Sequence, residues 1–168
     1  KFSIGCFHNY SHKILSSFIN TNVSATMKIS HLFVKRFRER NLKSAIIYIT
    51  TFDTGSDPVP FTSIYSGTKN FIDFFGRALH QEYKDKIDIL VMRPFVFESR
   101  FTNRNDYNYH WTTITPDQVA YSGLKNLGYT DVVYGEFKHT FASLMIERIW
   151  KQLVDFKKVK EGFLIQRS

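Results

Sequence analysis

Apolar positions along the chain fall into blocks of differing period. Phe2 to Phe7 is a short apolar run closing on His8 and Asn9, the length and flanks of a buried strand that ends in a polar loop. From about Lys13 to Arg40, residues Ile14, Leu15, Phe18, Ile19, Val23, Met27, Leu32, Phe33 and Phe37 recur mostly at three- and four-residue steps, which predicts an amphipathic helix. Lys35, Arg36, Arg38 and Arg40 crowd its end, where a helix C-terminus favours cations. Ser44 to Thr51 is almost continuously apolar, as in a parallel strand covered on both faces. Tyr65 to about Tyr83 predicts a second helix with Phe71, Phe74, Phe75, Ala78 and Leu79 as its buried stripe. Ile87 to Met92 predicts a third buried strand, stopped by Pro94.

Beyond it, Glu98 to Trp111 is polar and aromatic without a period and predicts a long loop. Thr115 and Pro116 open a helix that runs to about Leu127, before Gly128. Val132 to Lys138 predicts a fourth strand, and Ser143 to Lys160 a last amphipathic helix. Alternating strands and helices predict an α/β fold around a parallel sheet, with residues 1–168 forming one domain that has no internal repeat or linker.

Composition narrows the function classes. A chain of 168 residues that is 43% hydrophobic and 23% charged builds one globular core, which excludes a disordered tail or a small disulfide scaffold. Cys6 is the only cysteine, so no internal disulfide or Cys-based zinc cluster is available, and its place in an apolar run marks it as an inert core residue. The six histidines have no metal-ligand spacing, and no metal site is expected. Asp57, Asp73, Asp85 and Glu98 are expected in loops or on solvent faces, with no paired-carboxylate chemistry. The net charge of +8 and the cluster from Lys35 to Arg40 read as a solvated helix end rather than a nucleic-acid surface, because the aromatic residues follow core spacing. Charges interrupt every hydrophobic stretch before it reaches membrane-spanning length. The last helix, with Trp150 and Phe156 beside Lys151, Lys157, Lys158 and Lys160, suits contact with a membrane surface and equally core packing or a protein interface. Lys1 stands where an initiator Met is expected, so the chain reads as processed, trimmed or a fragment.

The chemistry is concentrated in Tyr65-Ser66-Gly67-Thr68-Lys69. Tyr65 and Lys69 lie four apart on a predicted helix and share a face, so an ammonium can sit beside the phenol and stabilise its anion. Thr51, at the carboxyl edge of the preceding strand, is placed to hydrogen-bond a substrate carbonyl while Tyr65 delivers a proton. A Tyr-x-x-x-Lys pattern alone occurs on many surface helices. Its position between two parallel strands is what makes it specific.

At these residues the chain resembles the short-chain dehydrogenase/reductase family, in the branch of very-long-chain 3-oxoacyl-CoA reductases and hydroxysteroid dehydrogenases. Ile4-Gly5-Cys6-Phe7-His8-Asn9 is similar to the strand entering the family's Asn-Asn-x-Gly turn, of which Asn9 alone remains. Ile19-Asn20-Thr21-Asn22-Val23 resembles the helix segment that supplies the family's active-site Asn, a role the resemblance gives to Asn22. Pro58-Val59-Pro60 with Ile64 to Lys69 resembles the branch's catalytic segment, which makes Tyr65 the proton donor and Lys69 the residue that lowers its pKa and binds the cofactor ribose. Arg93 to Ser99 resembles the stretch beside the nicotinamide, with Pro94 and with Ser99 in the place of a Thr. The family interval from the tyrosine to its catalytic serine lands on Phe52, whereas matching the strand residues lands on Thr51, which is preferred.

The resemblance implies a Rossmann-like fold of which only the later strands are present. The family's first strand, its glycine-rich turn and the helix that cradles the cofactor pyrophosphate precede the part resembling Ile4 to Asn9, and no such turn occurs in the sequence. The expected consequence is an open sheet edge at Phe2–Phe7 covered by an obligate protein partner. The function expected first is that of a degenerate reductase kept as a non-catalytic accessory subunit of a larger complex, mitochondrial and binding no cofactor as an isolated chain. The alternative is an active NADPH-dependent 3-oxoacyl-CoA or hydroxysteroid ketoreductase, for which the endoplasmic-reticulum membrane is the expected location.

Overall fold

A computed structural model of the chain describes residues 5–54, 58, 60–95, 97, 114–136 and 140–141. Among these, helices α1 (His12–Phe18), α2 (Ala25–Arg38), α3 (Ser63–Tyr83) and α4 (Pro116–Asn126) surround strands β1 (Ser44–Ile49), β2 (Ile87–Met92) and β3 (Val132–Val133). The strands form one parallel sheet in the order β1-β2-β3, with Ser44 opposite Ile87, Ile49 opposite Met92, and Val91 opposite Val132. This is an α/β, Rossmann-like arrangement, as the alternating pattern predicts.

The centre of the sheet is β2, buried on both faces. Ile87, Ile89 and Val91 point to the side of α2 and α3, where they pack with Val34, Tyr48 and Ile72. Leu90 and Met92 point to the other side and meet Val119 of α4 together with Ile114. Two-residue alternation thus sends one strand into two cores, which is why its sequence reads as an unbroken apolar run. Gly76 allows α3 to approach: a Cβ there would lie 2.7 Å from the Tyr48 ring and 2.8 Å from Val91. The buried Tyr48 hydroxyl shares a 2.7 Å hydrogen bond with Ser30 of α2, and burial pushes its pKa up while that hydrogen bond works against the rise.

Local signals set the ends of the elements. Thr115 and Gln118 close a reciprocal capping box on α4 with Pro116 in its first turn, as expected from the sequence. The helix predicted from Lys13 to Arg40 is a continuous rod interrupted by a π-helical stretch, Ile19–Ser24, between α1 and α2. The predicted fourth strand is shorter than expected, because Gly135 turns the chain at φ 93° two residues past Val133.

Three other expectations are corrected. The described part of Phe2–Phe7 is not a strand: Gly5 and Cys6 are irregular and Phe7–Asn9 forms a 3-10 turn, since a short run without period carries little strand signal and the following Asn and Ser favour local turns. Cys6 is half-buried in this irregular segment, not part of a strand. Strand β1 is not covered on both faces: Ala45 and Ile49 are exposed, and among the described residues β1 is also an edge of the sheet. Between that edge and α2 runs a groove of about 520 Å³ lined by residues that include Asn22, Ile29, Phe33, Ile47 and Lys69. The long loop, the segment 137–139 and the predicted last helix with its Trp and Lys residues lie outside the described residues.

Candidate active site

Parallel strands end at one edge of a sheet, and the segment leaving β1 at that edge bends back over the start of α3. The pairing of β1 with β2 continues past the strand as Thr50 N–H donates to Met92 O at 2.8 Å and Phe52 N–H to Pro94 O at 3.1 Å. Thr51 therefore sits on rigid backbone. Its own carbonyl accepts from both the amide and the hydroxyl of Thr54, at 3.0 and 2.7 Å, which closes a tight turn. At the other end, Phe61 takes a left-handed conformation at φ 68° and its carbonyl accepts from Gly5 N–H. That turn redirects the chain so that α3 begins at Ser63 and Tyr65 falls in its first turn.

The side chains of Thr51 and Tyr65 hydrogen-bond to each other. The Tyr65 pKa is pushed up to about 12, by burial first and then by the nearby Asp53 carboxylate, while the Thr51 hydrogen bond opposes both. Lys69, one turn along α3, places Nζ 6.0 Å from the Tyr65 ring centroid and donates at 3.0 Å to Ile49 O, the last carbonyl of β1. Burial lowers its pKa. Asn22 reaches the same helix from the π-helical stretch: Nδ2 donates to Thr68 Oγ1 at 2.9 Å, and the Thr68 hydroxyl donates to Tyr65 O at 2.9 Å. A π-helical turn inserts one extra residue per turn and rotates the side chains that follow, which brings Asn22 toward α3.

The structure thus brings together Thr51, Tyr65, Lys69 and Asn22. Pro94 is buried beside them, its carbonyl tied to Phe52. Asn9 lies on the exposed 3-10 turn, and among the described residues no hydrogen bond joins it to the cluster. Ser99 falls outside the described residues. The Phe52 ring, at the position the family interval singles out, lies 4.3 Å from the Phe95 ring centroid, and it is the Thr51 hydroxyl that meets the phenol.

Two acidic residues matter that the sequence did not bring forward. Asp73, expected on a solvent face, is buried on α3 and takes a bidentate ion pair from Arg93, with Nε to Oδ1 at 2.7 Å and Nη2 to Oδ2 at 2.8 Å. The signal was present: a lone cation closing a buried apolar strand requires a partner. Asp53 is also buried, and Ser66 Oγ donates to its Oδ2 at 2.8 Å. Asp53 sits in a polar loop stretch that resembles many exposed turns, and only the fold reveals its burial.

Among the described residues no group of three His, Cys, Asp or Glu side chains could hold a metal ion. A dinucleotide fits in part. Lys69 and Tyr65 at the strand edge, with Pro94 beside them, suit the nicotinamide and its ribose. Three of the described glycines are occupied by packing or a turn and do not cradle a pyrophosphate: Gly76 packs on Tyr48 and Val91, Gly123 on Met92, and Gly128 turns the chain beside Asp88.

Comparison with known proteins places these features in a family. Residues 3–109 match the family model of the short chain dehydrogenases. The human very-long-chain 3-oxoacyl-CoA reductase is 40% identical over 137 residues, which cover 81% of this chain and 43% of that protein. The chain spans less than half the length of the curated relatives it matches. A 7beta-hydroxysteroid dehydrogenase superposes with a TM-score of 0.76 over 87% of this chain and 58% of its own, at 18% identity. A 3-ketoacyl-(acyl-carrier-protein) reductase from Brucella melitensis, solved with NADH, superposes at 0.68 over 79% of this chain and 60% of its own, at 17% identity. The two structures share the fold. With the family model spanning more than half of its residues, the chain belongs to the short-chain dehydrogenase family.

Proposed function

We propose that this chain provides the proton-handling site of an NAD(P)H-dependent ketoreductase acting on 3-oxoacyl-CoA. The observation that supports this reading is the hydrogen bond between Thr51 and Tyr65, with Lys69 one turn away, at the carboxyl edge of a parallel strand. The substrate class comes from the similarity to the 3-oxoacyl-CoA reductases.

In this reading the ketone oxygen lies between the two hydroxyls. Thr51 donates a hydrogen bond that polarises the carbonyl, and Tyr65 transfers its proton to the oxygen as negative charge develops there. Lys69 stabilises the resulting phenolate by its charge, and its bond to Ile49 O fixes its position on the strand edge. Asn22, through Thr68, holds the first turn of α3 in register so that the phenol keeps its direction. A reduced dinucleotide, when bound, supplies the hydride.

NADPH consumption measured with a long-chain 3-oxoacyl-CoA tests the reading. Consumption that requires the thioester, matched by 3-hydroxyacyl product, supports it. A folded protein that shows neither would contradict it and favour a non-catalytic accessory role.

A further inference from the structure

Among the described residues, Tyr65 has two charged neighbours of opposite sign, and the family pattern accounts for one of them. Lys69 approaches from its own helix. Asp53 approaches from the turn after β1, two residues beyond Thr51, and is only 8% exposed. Its carboxylate is anchored: Ser66 Oγ donates to Oδ2 at 2.8 Å, and Ser66 shares a 2.9 Å hydrogen bond with Thr62, whose carbonyl accepts from Ser66 N–H at 2.8 Å. Ser66 is the residue next to Tyr65. A buried carboxylate is therefore fastened to the same helical turn that carries the phenol, while the backbone on its other side carries the phenol's hydrogen-bond partner.

We propose that Asp53 is a positioning residue for Tyr65: clasped by Ser66, its carboxylate holds the Thr51 turn against the first turn of α3 and fixes a buried negative charge beside that turn. The inference rests on the reading of Tyr65 as proton donor. A fixed anion beside a phenol opposes ionisation, so Asp53 works against Lys69, and the Asp53 carboxylate contributes to the raised Tyr65 pKa alongside burial. Among the described residues, the other charges packed near this site are Asp73 and Arg77 of α3 and Arg93 at the end of β2. They pair with one another, and the Thr54 hydroxyl, which donates to Thr51 O, lies 3.3 Å from Asp73 Oδ1. Removing Asp53 leaves that cluster intact. The functional consequence is directional: a site that donates a proton keeps its donor loaded to higher pH, which extends reduction into the alkaline range.

The test is the ionisation of Tyr65, followed by NMR of protein labelled with carbon-13 at the tyrosine ring carbon bearing the hydroxyl and assigned with Tyr65→Phe. In Asp53→Asn the Tyr65 midpoint is expected to fall from about 12 toward 10.0, by about half a pH unit or more. If the asparagine amide is rejected beside Ser66 and the variant does not fold, Asp53→Ser removes the same charge with a smaller polar side chain that brings no amide donor toward Ser66. The alkaline limb of kcat/KM for reduction moves to lower pH in parallel. A Tyr65 midpoint unchanged in the folded variant overturns the proposal, as does a wild-type phenol that titrates at 10. A shifted phenol in a protein without turnover keeps the role of Asp53 and removes the ketoreductase reading, whereas turnover with an unshifted phenol does the reverse.

Discussion

Asp73→Asn probes the interaction that fastens the site helix to the sheet. Arg93 leaves the end of β2 with its side chain 9% exposed, and the Asp73 side chain is 4% exposed. Two charge-assisted hydrogen bonds join them, Arg93 Nη1 donates to the Tyr134 hydroxyl at 3.0 Å, and Thr54 ties the pair to the turn carrying Thr51. Burial by itself would lower the Arg93 pKa, but hydrogen bonds and charge from Asp73 and Tyr134 more than reverse this and raise it. Arg77, half-exposed and 3.5 Å from Asp73, adds little. In Asp73→Asn the guanidinium stays buried without its counter-charge, and the amide turns a donor toward a donor. Breaking a buried pair from one side costs about 3–5 kcal/mol, a large part of the stability of a domain this size. Urea unfolding followed by circular dichroism measures it. The double variant Asp73→Leu with Arg93→Met separates charge loss from packing, because exchanging a buried pair for apolar residues of similar volume is close to neutral. A single-variant loss below about 1 kcal/mol would falsify the claim that this pair is desolvated and mutually dependent.

Further expectations follow from other contacts. Gly76→Ala places a methyl group within 2.8 Å of both Tyr48 and Val91 and is expected to cost about 1–3 kcal/mol in urea unfolding, while Gly67→Ala, with nothing within 4 Å, should be neutral or slightly stabilising. Thr51→Val removes the hydroxyl that meets Tyr65 and should lower kcat about 100-fold with little change in KM, whereas Thr51→Ser should retain most of the rate; equal rates for both variants would remove Thr51 from the chemistry. The phenol of Tyr65 titrates higher in the folded state than its ordinary 10.0, so the stability linked to its proton is present below pH 10 and lost as pH rises through about 12. Over that interval Tyr65→Phe should lose about 1–2 kcal/mol less stability than wild type, as measured by thermal unfolding at stepped pH. Tyr48, raised in the same direction, is common to both proteins and cancels.

The sequence revealed the helices and β2 well because their apolar residues keep a period or an unbroken run over enough positions to outweigh local chemistry. On α3 the predicted stripe holds in part: Phe71, Phe75 and Leu79 pack toward β2, whereas Phe74 and Ala78, also expected in it, are exposed. The Tyr65–Lys69 pair was legible for the same reason, since helical spacing alone puts both on one face. Thr51 was legible from its position at the end of an apolar run. Residues 5–9 were misread, because the four apolar residues of Phe2–Phe7 look alike in a strand and in an irregular approach to a turn. β1 reads as fully covered for a related reason. Its composition matches that of β2, and only the sheet order shows that, among the described residues, one side of it has no neighbouring strand. Asp53 and Asp73 escaped because a carboxylate's burial depends on tertiary partners, Ser66 for one and Arg93 for the other, that lie 13 and 20 residues away.

Single-turnover reduction of a 3-oxoacyl-CoA by NADPH, compared between wild type and Tyr65→Phe, bears most directly on the site. Loss of the phenol hydroxyl is expected to slow formation of the 3-hydroxyacyl product by about 100-fold or more, while Thr51 and Lys69 remain in place. Product formed at the same rate by both proteins would show that the proton comes from elsewhere and that the cluster on α3 is architecture alone.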